Sequence, residues 1–303
     1  MSQLAYRHKR VQLLRHLVGR RSAREDEGCF VIEGVNLLEE ALKAKATLQA
    51  VYLDGNWAEK RGSRHEGAAP AGDNVASTGS GDRLAALVGR CYDEGTRVFE
   101  LEPGVLSRVA GTVSPQPVMA VVRSNSYKLE DLHAMGPSLV VVCVDVRDPG
   151  NAGTVARSAW AAGANGIVCC GGTVDLHNPK AVRASAGAVL HMPVVHADFA
   201  SEALEAIGTW GLTRLATVPS GGEDYAVVDM RKPAALVFGN EAGGLPLGEL
   251  AGHIDGLVSV PMSQSAGSLN VGMAASVLCF EVARQRRCAW PPGSGENGHR
   301  GER

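Results

Sequence analysis

The stretch Val258 to Val277, VSVPMSQSAGSLNVGMAASV, contains a strand end, a loop and a helix start. Its β-branched run ends at Pro261, which has no N–H to donate to a strand ladder, so the strand stops there. Small polar residues follow. Ser268 or Asn270 then supplies a side-chain oxygen that can cap a helix beginning near Val271. A loop held between a strand end and a capped helix is suited to form one wall of a ligand site.

The same strand-to-loop pattern recurs through the second half of the chain. The near-continuous apolar run Ser138 to Val146 is typical of a parallel strand covered on both faces. Further strands are predicted at Gly166–Cys170, Met192–Val195, Thr213–Val218, Ala234–Phe238 and Leu257–Val260, and helices at Ala152–Ala162, Pro179–Leu190 and Ser201–Ile207. This alternation predicts an α/β fold with a parallel sheet, helices on both faces, and a ligand site beyond the carboxyl ends of the strands.

Length and composition allow a second, smaller domain. The chain has 303 residues, 45% of them apolar and only 5% aromatic, with 37 glycines, as expected for α/β domains packed with small side chains. Strands are predicted at Cys29–Glu33, Leu48–Leu53, Arg97–Leu101 and Val118–Val122, and helices at Ala5–Val18 and Asn36–Ala44. We predict a smaller α/β domain over 1–123 with a mobile loop at about 55–82, a linker at 124–137, a larger domain over 138–290, and a disordered tail at 291–303.

Basic residues are concentrated at the N-terminus. The formal net charge is −2, so the whole molecule is not a polycation, yet no acidic residue precedes Glu25. Such a basic helix indicates an anionic partner such as RNA, and a solvated helix face is the alternative. The candidate RNA-binding residues are Arg7, Lys9, Arg10, Arg15, Arg20 and Arg21, with Arg24 at the end of the same run.

The seven cysteines contain no CxxC pair and have no metal-ligand spacing with histidine. Cys143, Cys169 and Cys170 lie in apolar runs, where a free thiol behaves as a small buried hydrophobe. An odd cysteine count favours a reducing cytosol. No apolar run approaches the ~20 residues of a membrane span. We therefore predict a soluble, cytoplasmic protein without a metal or a membrane partner.

Two upstream junctions carry candidate site residues. In DVRDPGNAGTVARSAW, Asn151 lies at a helix start, and Arg157 on the same helix can lean back towards the strand-end crevice. In LVFGNEAGGLP, Gly239 allows close backbone approach, and Glu241 is the only charge in the loop. The alternatives are a helix cap with a surface arginine, and a solvated turn glutamate. The sequence has neither a GxGxxG motif nor a P-loop lysine, which argues against the hypothesis of a nucleotide-dependent dehydrogenase.

Three motifs, in order, resemble those of the SpoU (TrmH-like) branch of the SPOUT RNA methyltransferases. They are NxGxxxR at Asn151 to Arg157, GNExxGL at Gly239 to Leu245, and VPM followed by SLN at Val260 to Asn270. The likeness covers most of Ser138 to Arg287. The segments RHKRVQLLRHL, CFVIEGVNLLEEAL and SPQPVMAVV are similar to the family's N-terminal RNA-binding module, which is related to a ribosomal-protein fold.

The resemblance implies methyl transfer from S-adenosylmethionine to a ribose 2'-hydroxyl of RNA. It also implies a deep trefoil knot in the C-terminal domain, and a homodimer whose sites use both subunits. By motif, the backbone of Gly239, Val260 and Leu269 would bind the cofactor, with Met262 nearby. The reacting site would contain Asn151, Arg157, Glu241, Ser268 and Asn270.

Arg157 corresponds to the family's proposed general base. A guanidinium with a pKa above ~12 rarely releases its proton, so stabilisation of the developing alkoxide is the alternative role. Two departures bear on the cofactor loop, because Ser263-Gln264 and Ala242 stand where the family usually has glycine. We expect an active enzyme that acts on rRNA. A tRNA substrate, a resistance role against a ribosome-directed antibiotic, and a catalytically silent RNA-binding or assembly factor remain alternatives.

Overall fold

The computed structural model describes residues 3–56, 80–110, 115–263 and 268–288. These residues divide by packing into two units, one within Met1–Ser126 and Val174–His191, the other within Tyr127–Thr173 and Met192–Arg303. The predicted mobile loop at 55–82 lies mostly outside the described residues, and the predicted tail at 291–303 lies wholly outside them.

The first part of the chain forms a four-stranded mixed sheet with helices. Strand β4 lies between β1 and β2 and is antiparallel to both, and β3 is parallel to β2 on the other edge. The elements are α1 Lys9–Gly19, α2 Arg21–Glu27, β1 Cys29–Glu33, α3 Val35–Lys43, β2 Leu48–Asp54, α4 Ser80–Asp93, β3 Arg97–Leu101, α5 Val105–Ala110 and β4 Val118–Arg123.

The core of this unit follows from the helical spacing of α1. Val11, Leu14 and Leu17 recur on one face, are fully buried, and join a cluster that includes Tyr52 and Met119 of the sheet. The predicted strands Cys29–Glu33 and Arg97–Leu101 are confirmed to the residue.

The second part of the chain forms a seven-stranded sheet in which every pair of neighbouring strands is parallel. The order is β7-β6-β5-β10-β8-β11-β9. The elements are α6 Leu129–Ala134, β5 Leu139–Cys143, α7 Pro149–Ala161, β6 Gly166–Cys170, α8 Pro179–Ala184, a 3-10 turn Ala188–Leu190, β7 Val194–Ala197, α9 Ala200–Thr209, β8 Thr213–Thr217, β9 Glu223–Asp224, β10 Ala234–Phe238, α10 Leu247–Leu250, a 3-10 turn Ala251–His253, β11 Gly256–Ser259 and α11 Val271–Cys288. The predicted parallel α/β class is confirmed.

The central strands are buried along their whole length. Every residue of β5, β6 and β10 is buried, which matches the prediction from their continuous apolar sequence. Cys143, Cys169 and Cys170 are buried and form no disulfide, as predicted, and burial raises the pKa of Cys170 to about 12. The predicted cytoplasmic location stays a prediction.

The segment Val174–His191, which contains α8, packs with the first unit although the predicted boundaries placed it in the larger domain. Arg183 donates to Glu33 of β1 at 2.9 Å, and the buried Arg24 donates to Asp175 at 2.7 Å. Arg24 is therefore a structural ion-pair residue and not part of a basic surface.

Three other expectations change in detail. The single helix predicted at Pro179–Leu190 is divided, because Ala186 and Gly187 adopt φ angles of 50° and 90° that interrupt it. The segment predicted as a linker, 124–137, contains α6, whose Leu132 is fully buried. The first helix starts at Lys9, where the His8 ring accepts from the Arg10 amide at 3.2 Å.

Within the described residues, no helix combines the length and apolarity that a membrane crossing requires.

Candidate active site

Three strand ends place the three motifs at one edge of the sheet. The first motif follows β5, the second follows β10, and the third follows β11. Strands β5, β10, β8 and β11 are consecutive neighbours and run parallel, so their carboxyl ends meet at the same edge. The predicted site at this edge therefore has a structural basis in the strand order.

Helix α7 starts in the first motif and is capped by Asp148, which was not among the predicted residues. The Asp148 carboxylate accepts from the Asn151 amide at 2.8 Å, and Pro149 occupies the first helical turn. The helix thus begins at Pro149, three residues before the predicted start at Ala152. Asn151 lies inside the first turn, with its side chain available for other contacts.

The carboxylate of Glu241, in the second motif, accepts three hydrogen bonds from the first motif and the residues before it. Its oxygens accept from the backbone amides of Asp148 at 3.0 Å and Arg147 at 3.3 Å, and from Asn151 Nδ2 at 3.0 Å. Desolvation raises the pKa of Glu241, but hydrogen bonds from the Asn151 side chain and from backbone amides, including its own, outweigh it, so the pKa is lowered. Glu241 is therefore a carboxylate that holds the first motif, and a poor proton acceptor near neutral pH.

Asn151 connects the second motif to the third. Its Nδ2 donates to Glu241, and its Oδ1 accepts from Asn270 Nδ2 at 2.8 Å. Asn270 Oδ1 in turn accepts from the amides of Gly272 at 2.9 Å and Met273 at 3.3 Å, which caps α11 as predicted. A carboxylate can only accept hydrogen bonds, so Asn151 must present its N–H group to Glu241 and its oxygen to Asn270. The orientation of both amide side chains follows from this series of hydrogen bonds. We call Glu241, Asn151 and Asn270 the polar relay.

A cavity of about 160 Å³ lies beside the polar relay. The predicted cofactor residues Gly239, Val260, Met262 and Leu269 all line it, as do Glu241 and Ser268. One face of α11 completes the wall with three apolar side chains, Val271, Ala274 and Leu278. The cavity thus combines backbone groups from two loops, an apolar wall and a polar rim.

Gly239 is required by its own loop. A Cβ at this position would lie 2.5 Å from the Gly244 carbonyl carbon and 2.6 Å from the Leu245 nitrogen. Asn240 and Gly244 exchange backbone hydrogen bonds of 3.0 and 2.9 Å, which close the loop over Gly239. Glycine at this position therefore allows the loop to close, whereas its predicted role was close approach of a ligand to the backbone.

Arg157 is separate from the other predicted site residues of its own chain. It is exposed on α7, does not line the cavity, and makes no hydrogen bond or ion pair within the described part of the chain. The exposed Trp160 lies three residues further along the same helix. The structure therefore brings together Asn151, Glu241, Ser268 and Asn270, and does not place Arg157 with them.

Several residues around the site were missed from the sequence. Thr217, Val218 and Pro219 line the cavity because β8 ends there, between β10 and β11. Asn240 anchors the second loop, since its Nδ2 donates to the Asp145 carbonyl at 2.9 Å. The end of a predicted central strand was the available signal for Thr217, and the GNE motif was the signal for Asn240.

The two departures from the family pattern have different outcomes. Ala242 lines the cavity, and its amide donates to Asn240 Oδ1 at 2.9 Å, so alanine fits this turn. Gln264 lies outside the described residues, and the prediction about the shape of the cofactor loop there stays a prediction.

Most of the predicted RNA-binding residues lie on the surface of the first unit. Arg7, Lys9, Arg15 and Arg20 are exposed, and Arg10 is half-buried. Arg21 is exposed but is paired with Glu25 at 2.7 Å.

Comparison with known proteins agrees with this architecture. A model of the SpoU rRNA methylase family matches residues 138–280, and a model of the MRM3-like substrate binding domain matches residues 8–120. A Synechocystis protein described as an uncharacterized tRNA/rRNA methyltransferase is 32% identical over 273 residues, 89% of each chain. The 23S rRNA (uridine(2479)-2'-O)-methyltransferase of Streptomyces viridochromogenes is 28% identical over 297 residues, 94% of this chain and 92% of that protein. The structure of an AdoMet-bound rRNA methyltransferase from Sinorhizobium meliloti superposes with a TM-score of 0.74 at 28% identity, covering 93% of this chain and 97% of that one.

The fold, the site and these similarities define an RNA methyltransferase that uses S-adenosylmethionine. The chain belongs to the SpoU rRNA methylase family, as its three motifs predicted.

Proposed function

We propose that this enzyme methylates a ribose 2'-hydroxyl of rRNA at the polar relay. The hydrogen bond between Asn151 and Asn270, in series with Glu241, is the observation that carries the proposal, because it joins all three motifs beside the cavity. Backbone groups of Gly239, Val260 and Leu269 would hold S-adenosylmethionine in the cavity, with Met262 against it. The apolar wall from α11 is suited to the adenine ring, and the polar rim to the ribose and amino-acid groups.

When bound, the cofactor supplies a methyl group activated by the adjacent sulfonium charge. The protein must then orient a ribose hydroxyl and help to remove its proton. The amides of Asn151 and Asn270 are fixed by Glu241 and by the start of α11, so they are preorganised to position the sugar together with Ser268. Glu241 stays ionised and holds this arrangement. It does not accept the ribose proton, which passes to solvent water as the alkoxide develops.

Arg157 is assigned the role of stabilising the alkoxide that develops on the ribose, with a phosphate beside it. Its guanidinium stays charged at working pH and can donate two parallel hydrogen bonds to an anion. Because Arg157 does not line the cavity of its own chain, we propose that it reaches the site of a second subunit.

A homodimer is supported by the apolar side chains that α11 carries on several of its faces. Val271, Ala274 and Leu278 line the cavity, while Ser276 hydrogen-bonds Ser158 of α7 at 2.7 Å. A third face remains exposed, with Met273 at 57% and Phe280 at 45% of full exposure. We propose that this third face lies in the subunit interface.

The finer features of the predicted fold are also proposals. Strand β10 lies between β5 and β8, an insertion that is consistent with the deep trefoil knot. The match over residues 8–120 supports the N-terminal domain as an RNA-substrate-binding domain of ribosomal-protein-like fold. Arg7, Lys9, Arg10, Arg15 and Arg20 are its proposed RNA contacts, and Arg21 contributes less because Glu25 already pairs with it.

Methyl transfer to separate RNA classes tests the substrate. Purified enzyme is incubated with labelled S-adenosylmethionine and either deproteinised rRNA or tRNA, and calorimetry measures cofactor binding in parallel. We expect cofactor binding and labelling of rRNA. Labelling of tRNA alone would reassign the substrate, and absence of cofactor binding would support the catalytically silent RNA-binding factor.

A further inference from the structure

Tyr6 is fixed between a strand edge and helix α1. Leu4 bridges Leu101 of β3, with its amide donating to the Glu100 carbonyl at 2.8 Å. On the other side, Gln12 Nε2 of α1 donates to the Tyr6 carbonyl at 2.7 Å. The main chain around Tyr6 is therefore held by hydrogen bonds on both sides, which limits where its ring can lie.

Two arginines from different helices form cation–π contacts with the Tyr6 ring. The Arg108 guanidinium of α5 lies over it, with Cζ 3.9 Å from the ring centroid, and Arg15 Cζ of α1 lies 5.7 Å from the same centroid. Arg15 Nη1 also donates to the phenol oxygen at 3.1 Å. This hydrogen bond is the main cause that lowers the pKa of Tyr6. Both guanidinium groups are exposed, and like charges held at one ring repel each other.

A third arginine lies on an aromatic ring in the same unit. Arg10 Cζ of α1 is 4.6 Å from the centroid of Phe99 on β3. Aromatic stacking fixes the plane of a guanidinium group and leaves its N–H edge able to donate two parallel hydrogen bonds to an oxyanion.

The three arginines combine an aromatic ring beneath the guanidinium with the absence of a carboxylate partner. Several other exposed arginines are paired with a carboxylate, namely Arg21 with Glu25, Arg83 with Glu39, Arg147 with Asp145 and Arg231 with Asp229. Among the residues that the structure describes, no carboxylate forms an ion pair with Arg10, Arg15 or Arg108. Helix α1 itself contains no acidic residue. Oriented cations without an internal counter-charge are suited to an external polyanion.

We propose that Arg10, Arg15 and Arg108, which form cation–π contacts with Phe99 and Tyr6, bind the phosphodiester backbone of the RNA substrate. This deepens the proposed function and depends on it for the identity of the RNA. It adds Arg108 of α5, which lies 84 residues beyond Arg24 and outside the basic N-terminal run. The proposal also distinguishes these three arginines from Arg21, whose charge is already paired with that of Glu25.

The test measures binding of the full-length chain to deproteinised large-subunit rRNA without cofactor, over a series of salt concentrations. The double variant Arg15→Gln/Arg108→Gln removes two proposed phosphate contacts. The double variant Arg83→Gln/Arg231→Gln removes the same charge from arginines that are paired with Glu39 and Asp229, and it serves as the control. Loss of each phosphate contact lowers the slope of log affinity against log salt by about one, so the first variant should lose about two and the control close to none.

Turnover gives a second readout. In methyl transfer, Arg15→Gln/Arg108→Gln should raise KM for RNA and leave kcat and cofactor affinity near the wild-type values. Tyr6→Phe, which removes only the hydrogen bond to Arg15, should give a smaller KM effect than the double variant. The proposal is overturned if the double variant binds rRNA as the paired-arginine control does, or if kcat falls while KM is unchanged. If the wild type binds rRNA but transfers no methyl group, the proposed function fails while this surface is still tested by the salt series.

Discussion

Asn151 and Asn270, 119 positions apart in the sequence, are joined by a 2.8 Å hydrogen bond in which Asn270 donates. The bond has a defined direction because Asn151 must present its amide N–H to Glu241, and Asn270 must present its oxygen to the start of α11. The start of the last helix and the start of α7 are therefore fixed relative to each other by side chains of the candidate site.

The double role of Asn270 can be separated by substitution. In Asn270→Asp the oxygen that caps α11 is kept, but the donor to Asn151 is lost, so we expect near-normal thermal stability with kcat lowered on the order of 10²-fold. Asn270→Ala should lose the cap as well, at a cost of about 1 kcal/mol in the free energy of unfolding. Thermal unfolding and single-turnover methyl transfer measure the two effects. Equal turnover in wild type and Asn270→Asp would refute the role of the donor.

Gly239→Ala should weaken binding of S-adenosylmethionine. The new Cβ would lie 2.5 Å from the Gly244 carbonyl carbon, so the loop that lines the cavity must shift. We expect a rise in Kd of about tenfold or more, equivalent to about 1.4 kcal/mol, measured by calorimetry. Gly243→Ala in the same loop is the matched control, since its nearest contact would be an ordinary 3.7 Å from Asn240 Oδ1. Equal effects of the two substitutions would contradict the explanation.

Glu241 should contribute to stability in a pH-dependent manner. Its pKa in the folded protein lies below the ordinary value of 4.5, so the unfolded chain binds more protons in the interval between the two values. The stabilisation is fully present above about pH 4.5 and is lost as pH falls through the folded-state pKa.

Glu241→Gln should flatten this acid-side dependence in urea unfolding curves measured at a series of pH values. Glu249→Gln, which changes an exposed glutamate without an ion pair among the described residues, should leave the dependence unchanged. A steeper acid-side loss in Glu241→Gln than in wild type would reverse the assigned sign.

Mixing of variants tests whether Arg157 acts in the second subunit. In a heterodimer of Arg157→Ala and Asn151→Ala chains, one site would contain an intact relay with an intact Arg157 from the other chain. Random exchange makes half of the dimers mixed, so about one quarter of all sites should recover activity. If Arg157 acts within its own chain, the mixture should be as inactive as the separate variants.

The exposed face of α11 should determine the oligomeric state. Phe280→Glu places a charge in the proposed interface and should halve the mass measured by light scattering. Phe199→Glu is the control, because Phe199 is 62% exposed just before α9 and is assigned to no interface. A wild-type mass for both variants would exclude this face from the interface.

The parts of the fold that the sequence predicted well are those determined by local pattern. Strands β6 and β10 are continuous apolar runs, and their limits were predicted to the residue because burial on both faces leaves no other pattern. The start of α7 was predicted at Ala152 but lies at Pro149, because Asp148 is the cap and Pro149 the first helical residue.

The candidate site was predicted in composition but not in arrangement. Motif resemblance brought Asn151, Glu241 and Asn270 together, yet the direction of their hydrogen bonds depends on which backbone amides surround Glu241. Thr217 was missed because only the strand order shows that β8 lies between β10 and β11. The position of Arg157 relative to a cavity depends on which surface covers α7, and no local pattern specifies that.

The central claim is that the polar relay positions a ribose hydroxyl for methylation, and the linkage of the transferred methyl group tests it most directly. rRNA is labelled with wild-type enzyme and with Asn151→Ala at saturating S-adenosylmethionine, and the digest is examined for alkali-resistant dinucleotides, which mark 2'-O-methylation. We predict label in such a dinucleotide for the wild type, and its loss on the order of 10²-fold for Asn151→Ala although cofactor binding is retained. Label on a base, or near-normal 2'-O-methylation by Asn151→Ala, would contradict the claim.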